Sequence, residues 1–178
     1  GRGRLAMRVE LVSEPQYASL IDLLCELHTF YNEGSAVSRE VVNHHLLKNL
    51  LGVGSPQRLV VAIGDNGVVL GMAAITLVYS LVDFAAEHCR QCQLKELFVR
   101  ASQRNHGVGR ALMVWVARYA LENGCSRIDW PVKASNARGI SFYESLGALQ
   151  VVDRLSYRLS EPRVTALALD WDSGPVGG

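Results

Sequence analysis

The residues best suited to chemistry lie between Leu94 and Leu112. A strand-like run, Leu94-Lys95-Glu96-Leu97-Phe98-Val99, gives way to a polar turn ending in Arg104-Asn105-His106-Gly107, and a helical pattern opens at once with Val108-Gly109-Arg110-Ala111-Leu112. Two glycines at the start of a helix let backbone N–H groups point outward from an end that already carries partial positive charge. A Cβ at Gly107 or Gly109 would hold an anion off the backbone, and Arg104 and Arg110 add charge-assisted donors. The chemistry indicated is the binding of a phosphate.

Two better-known phosphate loops do not fit. A Walker A loop needs Lys-Ser or Lys-Thr after its last glycine, and Arg110-Ala111 stands there instead. A dinucleotide fingerprint needs three spaced glycines after the first strand of a parallel unit, and neither condition is met. Metal chemistry has no ligand set either. His44 and His45 are adjacent, not spaced i and i+4, and read as solvated. Among Cys25, Cys89, Cys92 and Cys125 only Cys89-x-x-Cys92 is a close pair, with no second pair or histidine ladder to complete a zinc site. The four are read as reduced thiols of a cytoplasmic protein, with a redox pair of Cys89 and Cys92 as the alternative.

The elements that must position this loop follow from periodicity. Arg8 to Val12 alternates as a strand, and Glu14-Pro15 opens a helix whose Leu20, Leu23, Leu24, Leu27 and Tyr31 recur at helical spacing. Ser38 heads a second helix through Leu46 and Leu50, closed at Gly52. Leu59 to Gly64 and Val68 to Tyr79 are β-branched runs joined by Asp65-Asn66-Gly67, a hairpin signal. Residues 80–92 lack a clean period and read as a surface loop or short helix. Then come the strand 94–99, a helix from Val108 to Asn123, a strand from Arg127 to Val132, and a helix from Ala137 to Leu146 with Asn136 as N-cap and Gly147 as stop. Leu149 to Val152 and Leu155 to Leu159 suggest a closing hairpin. This order mixes hairpins with strand-helix-strand crossovers, which predicts an α/β (mixed α+β) fold: a central mixed, mostly antiparallel sheet with helices on both faces. A purely parallel Rossmann sheet is disfavoured.

Length and composition bound the alternatives. A chain of 178 residues that is 49% apolar can bury one ordinary core, so a single domain over residues 7–178 is expected. Residues 1–6, preceding Met7, read as an expression remnant. A net charge of +1 and the lack of a basic run interleaved with aromatics argue against nucleic acid as a partner. No apolar stretch approaches the roughly 18 residues needed to cross a bilayer, and no signal-like segment opens the chain, so a soluble cytoplasmic protein without a membrane partner is expected.

The loop Arg104-x-x-Gly107-x-Gly109 resembles the coenzyme A loop of the GNAT superfamily of N-acetyltransferases. A second segment, Asn136-Ala137-Arg138-Gly139-Ile140-Ser141-Phe142-Tyr143-Glu144-Ser145-Leu146-Gly147-Ala148, is similar to the family's Asn…Phe-Tyr…Leu-Gly stretch. Tyr157-Arg158-Leu159-Ser160 fits the closing strand of its small-amine (diamine-type) members. Gly139 departs from the alanine common there, and Asn105-His106 replaces the usual Gly-Lys.

The resemblance implies a GNAT fold and acetyl-CoA as co-substrate, with no metal. Its pantetheine arm would lie along Leu97, Phe98 and Val99 and its pyrophosphate on Arg104, Asn105, His106, Gly107, Val108, Gly109 and Arg110. Pro131, which donates no ladder hydrogen bond, suits the place where neighbouring strands part to admit it. The resemblance further implies Tyr143 as the acid that protonates the departing thiolate, with a packed aromatic as the plainer account. Glu96 is the candidate general base acting through water, against a merely solvated strand carboxylate. Asn136 either bonds the pantetheine or caps its helix. A backbone N–H near Phe98 would hold the oxyanion.

The expected acceptor is a small-molecule amine, in a site drawn from Tyr31, Glu33, Asp83, Glu87 and Trp130, whose acids favour a cation such as a polyamine, an amino acid or an aminoglycoside. A protein N-terminus or lysine as acceptor, and a non-catalytic acetyl-CoA sensor, are the alternatives. Thr165 to Trp171 offers either an exchange surface for a homodimer or packing on its own domain.

Overall fold

The computed structural model describes residues 6–170, so most of the expected remnant and the Trp171 end of the tail lie outside the described residues. The chain divides into two compact units, one running to Ala134 and the other from Ser135.

The first unit is built on a sheet in the order β1 (Met7–Leu11), β2 (Arg58–Gly64), β3 (Val69–Tyr79), β4 (Arg90–Val99) and β5 (Cys125–Asp129). Neighbours are antiparallel except β4 and β5, which run parallel, so the predicted mixed sheet is what forms. The β2–β3 turn takes a positive φ at Gly67 alone, and Asn66 Oδ1 instead accepts from the Val68 N–H at 3.2 Å.

One face of the sheet is covered by α1 (Tyr17–Tyr31), whose Leu20 and Leu23 are fully buried among Leu59, Val61, Met72, Ala74 and Phe98. Each such leucine is worth about 2 kcal/mol over leaving it exposed. Behind α1 stand α2 (Arg39–His45) and a single π turn through Leu50. The Ser38 hydroxyl caps α2 by accepting from the Val41 N–H, and Gly52 closes the segment because a Cβ there would stand 2.2 Å from the Lys48 carbonyl oxygen.

The other face is covered by α3 (Val108–Glu122), which buries Val108, Leu112, Met113, Val116 and Ala120. Its first turn presses on β3 at Gly71, where a Cβ would meet Val108 Cγ1 at 3.0 Å and Leu112 Cδ1 at 3.3 Å.

Strand pairing fixes which face each β4 residue serves. Gly71, Ala73 and Ile75 share the α3 face and pair with Val99, Leu97 and Leu94, whereas Met72 and Ala74, on the α1 face, pair with Phe98 and Glu96. Lys95 therefore has no partner on β3: it is the extra residue of a β-bulge. Upstream of it even-numbered residues face α3, and downstream they face α1.

The second unit holds α4 (Ala137–Ser145) and α5 (Arg163–Leu169). Asn136 Oδ1 accepts from the Gly139 N–H at 2.9 Å, and Gly147, at φ +89°, ends α4. An alanine at 139 would place its methyl 2.5 Å from the Asn136 amide nitrogen, so glycine suits this cap. The predicted closing hairpin is a correction: no strand follows β5 among the described residues. Leu149, Val152, Leu155 and Tyr157 are largely exposed, and a two-stranded hairpin with nothing apolar beneath it is marginal in water.

Candidate active site

The turn before α3 has the geometry of an anion cradle. Gly107, the N-cap, lies in the left-handed region at φ +82°, and Asn105 is one of two non-glycine residues in the described chain with positive φ, at +67°. The first intrahelical bond runs from the Ala111 N–H to the Gly107 carbonyl, so the amides of Val108, Gly109 and Arg110 have no acceptor within the helix. A Cβ built on Gly107 meets no atom within 4 Å, which leaves that side of the turn open to a ligand. His106 and Arg110 are exposed. Arg104 is folded back on the strand end, its Nε donating to the Val99 carbonyl at 3.4 Å and its guanidinium 5.7 Å from the Phe98 ring centre.

The start of the turn is pinned from α1. Glu26 accepts from the Ala101 N–H at 2.8 Å and pairs with Arg100 at 3.7 Å, while Arg100 donates to the Val69 carbonyl at 3.0 and 3.2 Å. Sequence reasoning missed this clamp, which joins residues 75 positions apart and leaves no local pattern.

The strand edge leading to the turn is open on one side. β5 pairs with β4 only at Arg90, Cys92 and Gln93, and its ladder ends at Asp129, two residues before Pro131. Among the described residues, β4 from Leu94 onward keeps β3 beside it and pairs with no strand on its other side, so the main chain of Leu97, Phe98 and Val99 lies on a free strand edge. A pantetheine arm carries amides that can pair with such an edge, and the residues present thus fit both halves of coenzyme A.

Glu96 lies on the α1 face of this edge, half-buried. The Tyr31 hydroxyl, at the C-terminal end of α1, donates to its two oxygens at 3.0 and 3.3 Å. Burial raises the carboxyl above its ordinary value of 4.5, opposed by the Tyr31 hydrogen bond and the Leu97 amide. Phe30 completes an aromatic wall, its ring 5.4 Å from Tyr31 and 5.9 Å from Phe98.

Because Glu96 binds its proton more tightly folded than unfolded, its ionised form costs stability above the folded pKa and nothing below the unfolded one. We therefore expect Glu96→Gln to raise Tm at mildly alkaline pH, with the gain vanishing as pH falls below about 4.5. Thermal melts across that range check this; an equal Tm at every pH contradicts it.

Of the acceptor candidates, Tyr31 bonds to Glu96. Asp83 lines a small polar cavity with His88, Arg90 and Arg127 at the start of β4, Glu87 is exposed on the same loop, Glu33 is exposed just beyond α1, and Trp130 follows β5. Tyr143 and Asn136 belong to the second unit, where Tyr143 sits partly buried on α4 with the Phe142 ring 5.5 Å away and Asn136 caps that helix. The four cysteines are free thiols, and burial pushes Cys92 up to about 11, which leaves it inert as a nucleophile. Among the described residues no group of three or more His, Cys, Asp or Glu could hold a metal, and no helix is long and apolar enough to cross a membrane.

L-ornithine N5-acetyltransferase NATA1 of Arabidopsis thaliana is 36% identical over 55 residues, 31% of this chain and 24% of that protein. Thialysine N-epsilon-acetyltransferase of Bos taurus is 31% identical over 64 residues, 36% of this chain and 38% of that protein. The chain thus spans well under half the length of these curated relatives. An integron cassette protein from the mobile metagenome of V. cholerae superposes with a TM-score of 0.82 at 26% identity, covering 92% of this chain and 98% of the other. The model of the acetyltransferase (GNAT) family matches residues 19–148, spanning the cradle, the open edge of β4 and Tyr143. The chain belongs to the acetyltransferase (GNAT) family.

Proposed function

We propose that the chain transfers the acetyl group of acetyl-CoA to the primary amine of a small cationic molecule, by direct attack in a ternary complex. The observation that carries this reading is a half-buried carboxylate, Glu96, on a strand whose free edge runs straight into an anion cradle. The amides at the start of α3, with Arg104 and Arg110, hold the pyrophosphate, and the main chain of Leu97, Phe98 and Val99 pairs with the pantetheine. Glu96 takes a proton from the acceptor's ammonium, directly or through water, and the freed nitrogen lone pair attacks the thioester carbonyl. An N–H near Phe98 stabilises the oxyanion, the carbon–sulfur bond breaks, and Tyr143 protonates the departing thiolate. Asn136 serves α4 as its cap.

Several observations support the rest of the reading. The two named relatives act on ornithine and thialysine, and the aromatic wall of Phe30 and Tyr31 beside a carboxylate suits an alkylammonium acceptor. The family match crosses both compact units, in keeping with a single transferase domain over 7–178. Four unpaired thiols favour a cytoplasmic setting. The exposed apolar residues of 149–159 favour a homodimer, which sedimentation over a dilution series tests: a monomer at every concentration removes it.

The deciding experiment follows release of free coenzyme A from acetyl-CoA with polyamines, ornithine and lysine analogues, aminoglycosides and basic peptides. Turnover with a small amine is the expected result. Turnover with peptides alone would move the acceptor to protein, and tight acetyl-CoA binding without turnover would point to a sensor or to an acceptor outside this panel.

A further inference from the structure

We propose that Tyr31 is a positioning residue that holds the Glu96 carboxylate in the orientation in which it takes the acceptor's proton; this rests on the acyltransfer reading above. Three features of the structure carry it. The phenol's single proton is shared between both carboxylate oxygens, at 3.0 and 3.3 Å, a three-centre contact that brings the hydroxyl to the face between them. The pair joins α1 to β4 across 65 residues of sequence, so the orientation is set by the packing of helix on sheet and not by the strand alone. The tyrosine ring, half-exposed, stands edge-on to Phe30, with the Lys133 ammonium 5.9 Å from its centre.

The electrostatics run the same way. Among the described residues, the titratable and charged groups near Glu96 include Tyr31 on α1, Lys133 over the tyrosine ring, and Lys95 beside it on β4, while Ala74 is its neutral partner on β3. Burial favours the protonated carboxyl, and the phenol is the largest influence opposing it. A base must be ionised to act, so the tyrosine extends its working range toward lower pH.

Tyr31→Phe keeps the ring and removes only the hydroxyl. With the Glu carboxyl carbons labelled and the Glu96 resonance assigned from its loss in Glu96→Gln, we expect the Glu96 titration to move up by about one pH unit, the size of one charge-assisted hydrogen bond. The acidic limb of kcat/KM moves with it, so the variant is about tenfold slower on that limb and regains most of the rate at higher pH. A titration that stays in place, or a loss of rate equal at every pH, overturns the assignment. If the parent protein turns over no acceptor, the acyltransfer reading has failed, while the carboxyl titration still decides whether Tyr31 governs Glu96.

Discussion

Tyr143→Phe is expected to lower kcat by about a hundredfold, the low end of what a positioned acid contributes, while leaving KM for acetyl-CoA unchanged. Phenylalanine preserves the part of the side chain that packs, including the contact with the Phe142 ring, and does not touch the Asn136 cap or the Gly147 stop of α4. Thermal melting of the variant beside the parent separates a loss of fold from a loss of chemistry. A thiolate leaving without its proton is the poorer leaving group, so the loss belongs in the chemical step. Steady-state kinetics with saturating acetyl-CoA reads it directly. An unchanged kcat would return Tyr143 to the role of a packed aromatic.

The second large effect is expected at the cradle. Gly107 adopts φ +82° with open space where a Cβ would stand, so its requirement is conformational and not one of packing. Valine is a genuine outlier in that region, where a non-glycine residue costs about 1–2 kcal/mol and a β-branched one more. Relief of that strain would turn the first amides of α3 away from the anion. Gly107→Val should raise KM for acetyl-CoA by at least about tenfold, the equivalent of that strain, with kcat at saturation much less affected. Gly107→Asn is the matched control, because asparagine tolerates the left-handed region and Asn105 already occupies it two residues away. Calorimetric titration with coenzyme A separates the two variants. Equal affinities in both would mean that backbone shape at this turn does not set binding.

Much of the cradle was legible in the sequence because its causes are local. A glycine at the head of a helix, a serine at position 38 and an asparagine at 136 act on backbone atoms within three or four residues, and each is found doing so. What escaped was long-range or aperiodic. The Glu26 clamp and the Tyr31–Glu96 bond join elements whose mutual approach no window of sequence contains. The bulge was hidden by a strand that looks regular; its trace is the spacing of three between Leu94 and Leu97, two apolar residues that face the same helix. The closing hairpin failed for the opposite reason. Residues 149–159 alternate well enough for strands, but alternation records only a willingness to pair, and a partner must come from elsewhere.

The extra residue in β4 also bears on how the length of this chain can change over descent. In an ordinary central strand the loss of one codon would turn every later side chain over and move the hydrophobic ones into water. Losing the codon for Lys95 would do neither: Leu94 would run directly into Glu96, and the pairings from Ala74–Glu96 to Gly71–Val99 would keep their partners and their faces. Only the bend would go. A lineage could in this way gain or lose the curvature beside its cleft in one step, without renegotiating the sheet that carries it.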